Sequence, residues 1–170
     1  MSGSSEQPLP PVGSGGTAPD VGATADDFKE KGNVEYRAGR FLKAAALYTQ
    51  GLKADPGNAV LYSNRSAALL SLAKTTKAVA DAEECIRLRP DWDKGYFRKA
   101  AALETLDQMP EALQCYQAAF ERNRDSKQLA EKVRLLQKIV AKQQQKPAAA
   151  AATTAAGSDP LAAATAAAKR

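Results

Sequence analysis

Ala44-Ala45-Ala46-Leu47-Tyr48 returns as Ala78-Val79-Ala80-Asp81-Ala82 and again as Ala112-Leu113-Gln114-Cys115-Tyr116, each copy 34 residues after the last. The same interval links Tyr62 with Tyr96, Leu69 with Leu103, and Pro56 with Pro90. Several columns recurring in register make an internal repeat, not a chance match of one residue type. A period of this length belongs to a helix-turn-helix unit that hides its apolar face by stacking on its neighbours. Small residues where two helices touch, and Pro closing the unit, fit that geometry. The expected fold is all-α, a short solenoid of three repeats plus a C-terminal capping helix, and the business of such a fold is binding.

Apolar periodicity predicts paired helices over 26–38 with 41–54, 59–72 with 75–88, and 93–106 with 109–123. Gly39, Pro56-Gly57 and Pro90 punctuate them. Asn58 and Asp91 are each placed to accept a hydrogen bond from the free N–H groups opening the next helix. The third repeat has Arg124 where Pro56 and Pro90 stand, and one long polar helix follows it. Asp125, with Gln128 three residues on, is expected to start that helix as a capping box. Its apolar stripe, Leu129, Val133, Leu136 and Val140, suits covering the exposed end of the third repeat, leaving Lys127, Glu131, Lys138 and Lys142 in water. The organisation read from the chain is a disordered tail over 1–25, three repeats over 26–124, the capping helix over 125–146, and a disordered Ala-rich tail over 147–170.

Composition removes several classes of function. The 170 residues are 44% hydrophobic and 25% charged, which suits one domain with some tail. There is no histidine, so the commonest general base and zinc ligand are missing, and Cys85 and Cys115 lack any paired-cysteine spacing. Neither a metal nor another cofactor is expected, and the cysteines read as buried or half-buried free thiols of a reducing compartment. No apolar run approaches the ~20 residues that span a bilayer, and the first 25 residues hold Glu6 and Asp20 but no Lys or Arg, unlike a targeting peptide. The cytosol is the expected location, with the nucleus left open. The Gly-rich run at 13–16 lacks the Lys-Ser or Lys-Thr of a phosphate loop, and no nucleophile is paired with a base, so no enzymatic activity is expected.

Counting Ala25, Ala59 and Asp93 as place 1, the small or apolar columns of each first helix fall at places 4, 8 and 11, with Glu35 the exception. The opposite stripe, places 2, 5, 6 and 9, lines one side of the same helix and, in a stacked solenoid, the concave surface. Its occupants include Lys29, Asn33, Asn64, Lys94 and Arg98. All five donate hydrogen bonds and three are cationic, so the complementary ligand carries several oxygens and negative charge, as a pair of carboxylates does. Any one of these residues alone reads as a solvated helix face; the set carries the inference. Asn64 stands mid-helix, where Asn has no capping role, which favours a packing or functional reason for it. Lys31, Arg65 and Lys99 read as salt-bridge or rim residues. Tyr48, Tyr62, Tyr96, Tyr116 and Phe120 read as packing between helices, and Trp92 as packing at a turn.

The period and its small-residue columns resemble the tetratricopeptide repeat. Phe28-Lys29-Glu30-Lys31-Gly32-Asn33, Leu61-Tyr62-Ser63-Asn64-Arg65-Ser66 and Asp93-Lys94-Gly95-Tyr96-Phe97-Arg98-Lys99-Ala100 further resemble the carboxylate-clamp repeat domains of heat-shock co-chaperones. The likeness is strongest to the first repeat domain of the organising proteins that connect the seventy- and ninety-kilodalton chaperones. It covers roughly 26–123 and implies a right-handed superhelical solenoid. By motif, the family's clamp positions fall on Lys29, Asn33, Asn64, Lys94 and Arg98 without a departure. The ligand so implied is the chaperone's extreme C-terminus, ending in Glu-Glu-Val-Asp, whose last residue supplies two carboxylates. The Ser-Asn-Arg-Ser and Asp-Trp-Asp-Lys-Gly-Tyr segments imply, again by resemblance, that the seventy-kilodalton tail is accepted at least as well as the other.

The expected function is thus that of a non-catalytic adaptor, a monomer that holds a chaperone tail in its concave groove. The alternative is a generic assembly scaffold of the same fold that does not use the clamp. A nucleic-acid binder ranks last. The net charge is +5, but between Asp26 and Gln145 the 21 basic and 16 acidic residues are interspersed rather than laid in a track. No membrane partner is expected.

Overall fold

The computed structural model describes residues 22–145, and within them the chain forms seven α-helices and no strand. They are α1 (Ala25–Arg37), α2 (Phe41–Ala54), α3 (Ala59–Ser71), α4 (Thr75–Leu88), α5 (Asp93–Thr105), α6 (Met109–Arg122) and α7 (Lys127–Gln145). The tails read from the sequence lie outside the described residues except for 22–25, where Thr24 caps a helix that starts at Ala25. Thr24 Oγ1 accepts the Asp27 N–H at 3.2 Å, and Asp27 Oδ2 accepts the Thr24 N–H at 2.8 Å, a reciprocal capping box.

Each helix packs on the next in chain order, and the first helices of successive repeats, α1, α3 and α5, also touch one another. The repeat columns explain the close approach. Ala44, Ala78, Ala82 and Ala112 have no exposed surface, and Tyr48 and Tyr116 have at most 1%. Methyl groups at the crossing points let backbones come near, and the tyrosines fill the space beside them. The end of the stack is covered as the stripe of α7 suggested. Leu129, Leu136 and Val140 are buried, and Val133 packs against the cluster containing Leu103 and Tyr116. Glu104 ties the cap down, accepting the Tyr116 hydroxyl at 2.5 Å and Lys132 Nζ at 2.9 Å. Lys127, Glu131, Lys138 and Lys142 are exposed.

Two expected helix starts are corrected. Asn58 does cap α3, accepting the N–H groups of Val60 and Leu61 at 3.1 and 3.3 Å. Asp91 does not cap α5: the residue before that helix is Trp92, which has no side-chain cap bond, and Asp91 is one position too early in the turn. Asp125 likewise stands one position too early, and Ser126 Oγ accepts the Leu129 N–H at 3.3 Å instead. A capping oxygen must lie within reach of the second or third helical N–H, so an offset of one residue removes it. Trp92 is half-buried, with the Arg89 guanidinium 4.7 Å and Lys94 Nζ 5.6 Å from its ring centre.

The first helices of all three repeats end alike. Gly39 (φ 74°), Ala73 (φ 56°) and Asp107 (φ 58°) take the left-handed conformation. The N–H of the residue after each reaches back to close the turn: Arg40 to Glu35 O at 2.9 Å, Lys74 to Leu69 O at 2.9 Å and Gln108 to Leu103 O at 3.0 Å. Only glycine adopts this φ without a Cβ clash, so Ala73→Gly should stabilise the fold by about 0.5–1 kcal/mol, net of the extra chain entropy glycine brings. Urea denaturation checks it, and an unchanged or lower midpoint would contradict the strain assigned to Ala73.

Candidate functional site

Asn33 on α1, Asn64 on α3 and Arg98 on α5 line one cleft of about 210 Å³, with Tyr36, Arg37, Tyr48 and Ala67 completing its walls. Each polar residue comes from the first helix of a different repeat, so the stacking of α1, α3 and α5 is what brings them together. Three of the five residues picked out in the sequence therefore share a cleft. Lys29 and Lys94 do not line it. They stand one helical turn before Asn33 and Arg98 on the same helices, hence on the same faces.

The Asn pair is organised by its neighbours. Asn33 Oδ1 accepts the Tyr48 hydroxyl at 2.9 Å and Asn64 Nδ2 at 3.0 Å. With its oxygen used twice, Asn33 keeps its amide N–H groups available as donors at the cleft wall. This is the reason Asn64 occupies mid-helix. Tyr48 reaches Asn33 because Gly32 leaves the space: a Cβ there would stand 2.4 Å from Tyr48 Cε1. Burial pushes the Tyr48 phenol up to about 12, with the Arg37 and Arg98 charges pulling the other way, so it stays a neutral donor at physiological pH.

The cations differ in their commitments. Arg98 is half-buried, and its Nε is fully buried with no hydrogen-bond partner among the described residues. A buried guanidinium donor left unpaired is costly. Lys29 Nζ donates to Asp26 at 2.7 Å, and that bond holds its ammonium above the ordinary lysine range. Lys94 is exposed. Lys99 pairs with Glu83 at 2.8 Å and Arg65 with Asp81 at 2.6 Å, the salt-bridge roles expected of them. Sequence reading missed Tyr36 and Arg37 as cleft residues. Arg37 was findable, since it continues the Lys29-Asn33 stripe by one more turn.

Among the described residues there is no cluster of His, Cys, Asp or Glu suited to a metal, and no described helix is long and apolar enough to cross a membrane. Cys85 is buried and Cys115 half-buried, both free thiols, and burial pushes Cys85 up to about 11.

Comparison with known proteins places the geometry. The tetratricopeptide repeat family matches residues 59–91 and 93–126. The Hsp70-Hsp90 organizing protein of Triticum aestivum is 51% identical over 78 residues, 46% of this chain and 13% of the relative. The solved first TPR domain of Spaghetti (RPAP3) bound to the HSP90 peptide SRMEEVD superposes with a TM-score of 0.67 at 32% identity, covering 69% of this chain and 93% of that one. The second TPR domain of human RPAP3, in complex with the HSP70 peptide SGPTIEEVD, gives 0.63 at 28% identity, over 66% and 94% of the two chains. The chain spans only 13% to 19% of the length of the first three curated relatives it matches.

Proposed function

The chain belongs to the tetratricopeptide-repeat family, and from that premise we propose that it is a non-catalytic co-chaperone adaptor. It holds the acidic Glu-Glu-Val-Asp tail of seventy- and ninety-kilodalton heat-shock chaperones in its concave groove. The observation that carries the reading is the convergence of donors from three repeats, Asn33, Asn64 and Arg98, on one cleft. Asn33, Asn64 and Arg98 hold one carboxylate at the cleft, and Lys29 and Lys94 approach the second from one turn away. The set offers three cations and two amide donors, which matches a ligand carrying two carboxylates. Relatives and solved neighbours named for these chaperones and their peptides support the same ligand. Two free cysteines, one fully buried, suit a reducing compartment such as the cytosol.

Titration with a peptide ending in Glu-Glu-Val-Asp should give a dissociation constant on the order of micromolar, because the contact is small and a flexible peptide is ordered on binding. Amidating its C-terminus should weaken binding at least tenfold, by about 1.4 kcal/mol or more, and added salt should weaken the free acid further. Equal affinity for the free acid and the amide would sink the clamp. That result would favour the scaffold alternative, for which a separate groove of about 590 Å³, walled by Leu42, Thr49 and Lys53 of α2 and Lys77 of α4, offers a surface.

A further inference from the structure

Arg37 is not one of the five clamp residues, yet it lines the same cleft as Asn33, Asn64 and Arg98. It closes α1, and its side chain is exposed and makes no ion pair with a described residue. The acids nearest it in α1 are already engaged: Glu35 pairs with Arg40, and Glu30 lies 3.8 Å from Lys29 Nζ. Its guanidinium is therefore uncommitted at the cleft wall, beside the small side chain of Ala67, which leaves room for a ligand.

Distance along the helix says which part of a ligand they meet. At ~1.5 Å per residue, Arg37 stands about 6 Å beyond Asn33 and about 12 Å beyond Lys29. An extended peptide advances about 3.3 Å per residue. A chain end anchored at Asn33 and Lys29 and running along α1 thus brings the residues about two to four places before its terminus to Arg37. In Glu-Glu-Val-Asp the two glutamates fall in that window.

Resting on the tail-binding reading above, we propose that Arg37 is a specificity-determining residue that pairs with the side-chain carboxylate of one of those glutamates. The clamp reads the chain end; Arg37 reads the acid upstream of it. The five clamp residues alone accept any C-terminal Asp, whereas Arg37 disfavours tails with a neutral residue at the glutamate position, since its guanidinium would then gain nothing on binding.

The test is a cycle on the full 170-residue chain, wild type and Arg37→Gln, titrated with free-acid peptides ending in Glu-Glu-Val-Asp, Gln-Glu-Val-Asp and Glu-Gln-Val-Asp. Wild type should lose about three- to tenfold on one of the two Glu→Gln changes. Arg37→Gln should bind the parent peptide more weakly by a similar factor and be indifferent to that same change. If Arg37→Gln is as sensitive as wild type to both changes, the assignment is overturned while the clamp stands. If wild type fails to bind the parent peptide, or binds its amide equally, the tail reading falls and takes this one with it. A role limited to the C-terminal end of α1 would lower the melting temperature of Arg37→Gln without any coupling to the peptide glutamates, and that outcome also overturns the proposal.

Discussion

Arg98→Ala should weaken binding of a Glu-Glu-Val-Asp peptide by about 2–5 kcal/mol, roughly 30-fold at the least, while far-ultraviolet circular dichroism stays unchanged. The size follows from the position of the side chain. Arg98 is half-buried between repeats, and its Nε is already out of water without a partner. A carboxylate drawn into the cleft loses its own hydration there, so removing this guanidinium leaves a desolvated anion without its half-buried cationic partner. Lys94→Ala should cost less, and its cost should shrink as salt is added, because Lys94 is exposed to solvent. Lys142→Ala, on the exposed side of α7, should change nothing. Normal affinity in Arg98→Ala would mean that the cleft is a solvated face and that chaperone tails, if bound, dock elsewhere.

The fold was legible because its signal is a spacing, and a period of 34 residues survives substitution at many single positions. Ala44, Ala78 and Ala112 were placed at helix contacts from that interval, and all three are fully buried. The same period, applied to the helix starts, would have located the caps that local rules misplaced. Thr24, Asn58, Trp92 and Ser126 form one column at that interval and stand immediately before α1, α3, α5 and α7. Local preference pointed to Asp91 and Asp125 because aspartate is a good capping residue, but the stack sets the register, and the column happens to hold a tryptophan in the third place. The donor stripe was legible for a similar reason, since helix faces follow from counting. The Tyr48-Asn33-Asn64 hydrogen bonds were not, because they join α2, α1 and α3 and depend on how the repeats stack and on the space left by Gly32.

Arg65→Ala should cost the fold about 3 kcal/mol, a fall in melting temperature on the order of 12 °C at ~4 °C per kcal/mol for a domain of this size. Arg65 on α3 grips Asp81 on α4 with two parallel hydrogen bonds of 2.6 and 2.7 Å, and its third nitrogen donates to Thr49 on α2 at 3.1 Å. One side chain thus joins three helices and two repeats. The Asp81 side chain is 8% exposed and that of Arg65 21%, so the two partners are not equivalent. Losing the arginine strands a carboxylate that water barely reaches. Asp81→Ala should be milder, because the stranded guanidinium keeps Thr49 and opens onto the groove between α2 and α4. The double change Arg65→Met with Asp81→Leu should recover most of the loss, since apolar groups of similar volume need no partner. Urea denaturation of the three variants decides the matter. If the double variant were no more stable than Arg65→Ala, the destabilisation would come from lost packing of the arginine stem, and the buried pair would not be what couples the first two repeats.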